Sequence, residues 1–303
     1  YIDTQIKEVS VKQAFRNNFI GFTRKSSIAS MRIDRIRTYD IQNVVDQLVK
    51  DDMASSTVNN YFAPISASLN HAETQSLLPH SSPTRNVRVP AIEETDVNMW
   101  SVDQYNAFIS NAYKIVDSKK KLNQFYGNAG QYLKMIEFIR QTGCRIYEAI
   151  GLQQSDFNVD TNELSFNRTA KYVSKKPFPV VEGMKTKKSK RTIPLTDQAT
   201  KILEELFIGF ENPYIFNLNG KPFYPSSVGR IFSELRDELE MPVPFRLRDI
   251  RKIFITEMLD KGVPIHDVAD YCGTSILQIS RTYARSTKSS QLELIKKMSV
   301  INA

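Results

Sequence analysis

Cysteine, histidine and tryptophan are scarce in this chain: two, three and one among 303 residues. Cys144 and Cys272 stand apart in apolar surroundings and form no Cys-x-x-Cys pair. That argues against a disulfide framework or a zinc site and suits a reducing cytoplasm. His71, His80 and His266 are too scattered to add a metal cluster. No metal and no cofactor is therefore expected. No apolar run approaches the roughly 20 residues that a membrane-spanning helix needs, so no membrane partner is expected either. No signal peptide is read, and the chain starts at Tyr1 rather than Met, as a fragment lacking an N-terminal piece would. Internal repeats are absent.

What is present is ordinary in bulk and uneven in charge. Apolar residues make up 41% and charged residues 24%, as in globular proteins. The length accommodates two domains, each with its own core. Net charge is +8 and the sequence pI about 9.3, with basic residues in excess on both sides of Pro90. The balance favours a polyanionic partner. A basic enzyme without nucleic acid would carry the same excess, so charge alone does not decide.

Periodicity divides the chain. Residues 11–22, 40–48 and 55–69 read as helices, the second with Asp40 as N-cap, the third with Ser55-Ser56-Thr57 at its start. They make a small helical domain over residues 1–80. Residues 79–96, with three prolines and little periodicity, read as an extended linker, placed at 81–98. The second domain, 99–303, opens with a helix capped by Ser101. Residues 131–141 form another helix. Residues 163–168 and 191–195 alternate like strands, with a basic extended hairpin over 173–190 between them. Helices follow over 197–207 and over 246–259, the latter stopped by Gly262. Another begins near Pro264 and ends at Gly273. Ile276, Ile279 and Tyr283 then share one face of the next. The last helix covers 291–298. The fold class read from this order is mainly α with a small antiparallel β-sheet.

Three frames carry chemistry. Arg145 stands in Thr142-Gly143-Cys144-Arg145-Ile146-Tyr147-Glu148, Arg251 in Arg248-Asp249-Ile250-Arg251-Lys252, and Tyr283 in Arg281-Thr282-Tyr283-Ala284-Arg285. Arginine's planar fork grips two phosphate oxygens and stays charged. A phenol can attack phosphorus, and a lysine can protonate a leaving oxygen. Residues 185–191 (KTKKSKR) supply five cations in seven positions, suited to a nucleic-acid backbone or groove. Taken singly, each frame fits a solvated basic face or a packing residue; their combination does not.

The combination resembles the tyrosine recombinases, which include phage and transposon integrases, Xer proteins and Cre. Thr142 to Leu152 is similar to the family's first arginine box, and Lys185 to Leu195 to its lysine hairpin and following strand. Arg248-Asp249-Ile250-Arg251 stands where the family has His-x-x-Arg. Cys272-Gly273-Thr274-Ser275 resembles its Leu-Gly-His-Ser turn, and Tyr283 follows Arg251 by 32 residues, a spacing like the family's. The resemblance covers about 99–290. It implies a helical core-binding domain joined to an α+β catalytic domain. It implies Tyr283 as the nucleophile that forms a 3′-phosphotyrosyl bond, Arg145 and Arg251 as stabilisers of the phosphorane, Lys185 as general acid and Glu148 as an orienting partner. Lys187, Lys188, Lys190, Arg191, Arg85 and Arg88 would contact double-stranded DNA. The tail from about 286 would dock on a neighbouring subunit in a dimer or tetramer.

Several positions depart from the pattern. Arg248, Lys252 and Thr274 occupy the places where histidine or tryptophan is usual. Arg248 would contact phosphate, Thr274 would bond a non-bridging oxygen, and Asp249 or water is left as the base. The 40 residues from Arg145 to Lys185 imply an insertion near 173–181 and leave Lys187 and Lys188 as alternative acids. The expected activity is site-specific DNA recombination at the nucleoid. A type IB topoisomerase-like enzyme and a weakened DNA-binding homologue are the alternatives.

Overall fold

The computed structural model describes residues 9–24, 26–92, 100–121, 124–170, 180–184, 189–207, 213–241 and 245–283, the side chains of 9, 10, 124, 125, 180–182, 282 and 283 excepted. The chain divides into two units, residues 1–95 and 96–303.

Among its described residues the first unit packs three α-helices, α1 (Val9–Thr23), α2 (Thr38–Lys50) and α3 (Ser55–Thr74). Ile41, Val44, Val45 and Leu48 recur at helical spacing along α2 and bury against Val58, Ile65 and Leu69 of α3 and Phe22 of α1. Asp40 is not the N-cap: α2 starts two residues earlier, and the Asp40 carboxylate accepts from the Arg37 N–H at 2.8 Å. Residues 79–90, read from sequence as the start of a linker, lie along this unit. Thr38 Oγ1 donates to the Pro83 carbonyl at 2.9 Å, and Asn59 Nδ2 to that of Pro90 at 2.8 Å. The Gln42 amide holds both the N–H and the carbonyl of Arg88. Proline leaves carbonyls without an intrasegment partner, and side-chain amides and hydroxyls of the helices supply one.

The second unit is built round α6 (Ala129–Thr142), buried on nearly every side through Leu133, Met135, Ile136, Phe138 and Ile139. Before it come α4 (Val102–Lys119), with Ser101 accepting from the Gln104 N–H as expected of a cap, and the single turn α5 (Gln124–Gly127). After it come the short α7 (Ile146–Gly151), then β1 (Phe157–Asn158), β2 (Glu163–Phe166), β3 (Arg168–Ala170), β4 (Val180–Glu182) and β5 (Arg191–Pro194). β1, β2 and β5 form one antiparallel sheet, with Phe166 opposite Arg191; β3 and β4 form a separate hairpin. Among the described residues there are thus several small antiparallel ladders, a third being β6 (Asn217–Leu218) with β7 (Lys221–Pro222). The segment read as one strand over 163–168 breaks at Asn167, where the chain leaves the first sheet for the second.

Five further α-helices follow among the described residues: α8 (Asp197–Phe207), α9 (Pro225–Glu238), α10 (Ile250–Asp260), α11 (Ile265–Cys272) and α12 (Ile276–Tyr283). The helix expected over 246–259 is two pieces. Leu247–Asp249 is a 3₁₀ turn whose first N–H, that of Arg246, is held by Asp249, and α10 starts only at Ile250. The class, mainly α with small antiparallel sheets, is as the sequence implied.

Candidate active site

Arg145 owes its position to the glycine before last. Gly143 closes α6 in the left-handed region (φ 59°), which turns the chain sharply and makes Arg145 the N-cap of α7. A Cβ at Gly143 would run into the Phe254 ring. Only glycine takes that backbone there without steric cost. Glu148, one turn into α7, is buried and accepts from both the Arg145 N–H (Oε2, 3.0 Å) and Arg145 Nη1 (Oε1, 2.6 Å). Arg145 Nη2 reaches across to the carbonyl of Gly273 at 2.8 Å. The side chain keeps 41% of its surface exposed, so one face of the guanidinium is open.

Glu148 also takes Arg191 Nη2 at 3.1 Å. Burial alone would raise the Glu148 pKa. The Arg191 charge, with the Arg145 N–H and charge, outweighs burial and holds it below the usual carboxylate range. Arg251, in the first turn of α10, is within electrostatic reach of Arg145, Glu148 and Arg191. Burial and then the Arg145 charge push its pKa below the ordinary arginine value. The guanidinium nevertheless stays protonated. Its Nη1 is buried without a hydrogen-bond partner among the described residues; of the four such atoms, it is the one in this cluster. Two guanidiniums thus bond one buried carboxylate, and a third within electrostatic reach of it has a donor to spare. The arrangement is an anion site with positive charge in excess.

Around it, the expected residues fall into groups. Thr274 is half-buried and directly follows the carbonyl that Arg145 holds. Arg248 is exposed on the 3₁₀ turn. Lys252 pairs with buried Asp249 at 2.6 Å. Asp249, considered as a base, has one oxygen in that pair and the other on the Arg246 N–H, so it is not free for the role. Tyr283 ends α12, and its side chain lies outside the described residues, as do Lys185, Lys187 and Lys188. Lys190 is exposed. Arg85 and Arg88 are exposed on the first unit, Arg85 pairing with Glu73 at 2.7 Å.

Arg191 corrects the sequence reading. It was expected on the DNA, but its side chain is 6% exposed. Besides Glu148 it donates to the carbonyls of Tyr271 (Nε, 2.7 Å) and Ser189 (Nη1, 3.0 Å), and it lies 4.2 Å over the Phe166 ring. The signal was available: along β5, Arg191 alternates onto the same side as buried Ile193. A run of cations drew attention to charge and away from strand phase.

Cys144 and Cys272 are buried free thiols; burial pushes Cys144 up to about 12 and Cys272 upward too, which leaves both protonated at neutral pH. His266 is exposed on α11 beside Asp267, and the other two histidines belong to the first unit. No imidazole of the described residues enters the arginine cluster. Among the described residues no group of three or more His, Cys, Asp or Glu side chains is placed to hold a metal ion, and no helix is long and apolar enough to cross a membrane.

The phage integrase family model matches residues 109–290, a span containing all three arginines and Tyr283. A tyrosine recombinase of Thermosipho africanus is 23% identical over 275 residues, covering 88% of this chain and 86% of the relative. One of Agathobacter rectalis is 22% identical over 302 residues, covering 96% and 90%. Among solved structures, the Tn1549 transposon integrase in complex with transposon right end DNA superposes with a TM-score of 0.79 at 16% identity, covering 98% of this chain and 96% of that one. A lambda integrase dimer bound to a core site gives 0.68 at 11% identity, covering 93% and 90%. The chain belongs to the phage integrase family of tyrosine recombinases, enzymes that cleave DNA and transfer its strands.

Proposed function

We propose that this protein is a site-specific recombinase of the integrase type that cuts and rejoins double-stranded DNA through a phosphotyrosyl bond at Tyr283. The observation that carries the proposal is the buried, unpartnered Nη1 of Arg251 in a cluster where three arginines face one carboxylate. A buried donor without an acceptor is costly. A phosphate oxygen would satisfy it, and the open face of Arg145 would take a second oxygen of the same phosphate.

In the proposed reaction the Tyr283 Oη attacks phosphorus. The new O–P bond leaves a 3′-phosphotyrosine, and the P–O5′ bond breaks. The departing 5′ oxygen takes a proton from Lys185, or from Lys187 or Lys188. The phenolic proton passes to water, since no imidazole stands in the cluster. Arg145 and Arg251 offset the charge that grows on the phosphorane, which preorganised donors do better than water. Because the guanidiniums supply that charge, cleavage needs no metal. The attack of a second 5′-hydroxyl reverses the steps and conserves the bond energy. Arg248 would contact the reacting phosphate, and Lys190, Arg85 and Arg88 the duplex backbone. Residues 1–80 would act as the core-binding domain and 99–303 as the catalytic one. The tail from about 286 would dock on a second subunit, in a dimer or tetramer assembled on DNA in the cytoplasm.

The test is a nicked suicide duplex carrying a core site from the protein's own element, incubated with the full chain in chelator. A covalent adduct is expected, and Tyr283→Phe is expected to form none. No adduct from the intact chain overturns the proposal; an adduct that survives Tyr283→Phe overturns the nucleophile.

A further inference from the structure

Arg191 is the best-anchored side chain of the cluster. It leaves β5 opposite Phe166 and crosses that ring at 4.2 Å, a contact that restrains its approach. Its three hydrogen bonds end on three different segments: Glu148 of α7, the Tyr271 carbonyl of α11, and the Ser189 carbonyl two residues before it, ahead of β5. It also presses on the turn that joins α11 to α12. Gly273 sits there with φ 63°, and a Cβ on it would lie 2.6 Å from Arg191 Nη1. These segments carry or adjoin the proposed chemistry: the carboxylate that holds Arg145, the residue that follows the candidate acids in sequence, and the helix and turn that precede the one ending at Tyr283. With 6% of its side chain exposed, Arg191 has no face left for DNA.

We infer that Arg191 is a positioning residue of the recombination reaction: it orients Glu148, and through it Arg145, while tying Ser189 of the basic run and the α11–α12 turn to one point. The inference rests on the recombinase reading above. A planar group with five donors in fixed directions can hold three acceptors at once, and lysine's single ammonium cannot repeat those angles. The groups facing Glu148 among the described residues are Arg145, Arg191, Arg251, Cys144 and Cys272. Of the charges that keep it ionised, Arg191 is the largest contributor. Removing Arg191 therefore raises the Glu148 pKa. Glu148 then loses its charge, and its grip on Arg145, as pH falls.

The experiment uses the full chain and the suicide duplex. It measures the single-turnover rate of adduct formation at saturating DNA, the Kd for DNA, the melting temperature, and the pH dependence of the rate. Arg191→Met is expected to slow the saturating rate about 100-fold, the scale of a displaced reacting group, with Kd nearly unchanged. Its rate should fall further with decreasing pH, and the double variant with Glu148→Gln should lose that extra dependence. Arg191→Lys should fold and recover part of the rate, remaining roughly tenfold slow. A raised Kd at full saturating rate would mean a DNA contact and overturn the inference. So would a slower rate whose pH profile matches the parent, which would mean packing alone. If Arg191→Met does not fold, Arg191→Lys decides: parental rate and profile overturn the inference. A parent that forms no adduct sinks the recombinase reading itself, whereas a parent that reacts alongside fully active variants sinks only the role of Arg191.

Discussion

At the scale of single residues, the site is a problem of unbalanced charge. Three guanidiniums cannot lose their protons, and one buried carboxylate cannot neutralise them. Arg251→Lys keeps the charge but not the fork. It is expected to lower the saturating cleavage rate by about 10²-fold or more, as read by adduct formation on the suicide duplex. No imidazole stands in the cluster, so the parental rate should show no inflection near the unperturbed histidine pKa of about 6.5. Arg248→His should introduce one, and an unchanged pH–rate profile would count against Arg248 lying at the reacting phosphate. Glu148 also sets a stability window. Its folded-state pKa is depressed, so its contribution is fully present above the unfolded value of about 4.3 and is lost as pH falls through the folded one. Acid unfolding of Glu148→Gln should accordingly be shallower below about pH 4 than that of the parent, measured by circular dichroism. The frames round Arg145 and Arg251 were legible in the sequence because each is local. The burial of Arg191 was overlooked because strand phase is hard to see within a run of cations.

At the scale of elements, two left-handed glycines and one ion pair hold the site together. Gly143 ends α6 and Gly273 ends α11, at φ 59° and 63°. The first sets up Arg145 two residues on, and the second offers its own carbonyl to Arg145 at 2.8 Å. Gly143→Ala is expected to cost about 1–3 kcal/mol from backbone strain, with the Phe254 contact adding to it, and thermal melting would show the loss. α6, whose C-terminal turn leads into Arg145, and α10, which carries Arg251 in its first turn, are joined by the Arg140–Glu257 pair, whose Glu257 also takes Lys261 at 2.8 Å. Glu257→Ala strands a mostly buried arginine. A loss of roughly 3 kcal/mol is expected, the low end for a buried pair because Glu257 is partly solvated. Helix existence was legible from the apolar spacing of α2, α6 and α8. Boundaries were less so. Asp40, read as an N-cap, lies inside the first turn of α2 and reaches back to the Arg37 N–H, and the helix read over 246–259 begins only at Ile250, after Asp249 has reached back to the Arg246 N–H.

At the scale of the whole molecule, positive charge spread over both units should make duplex binding steeply salt-dependent. Counterion release predicts a linear fall of log affinity with log salt, near −0.9 per phosphate contacted. Titration between about 50 and 200 mM salt should thus weaken binding on the order of 10³-fold; a flat response would argue against DNA as the partner. By itself the sequence determined the class of fold, the family and the frames that hold Arg145, Arg251 and Tyr283, because helical periodicity and short boxes are properties of neighbouring residues. Tertiary structure alone decided which cations are free and which are structural. It put Arg191 inside and Arg248 outside, occupied Asp249 with Lys252, ran residues 79–90 along the first unit, and left Arg251 with an open donor. Burial and hydrogen-bond partners depend on segments far apart in the chain, and no local pattern of residue types records them.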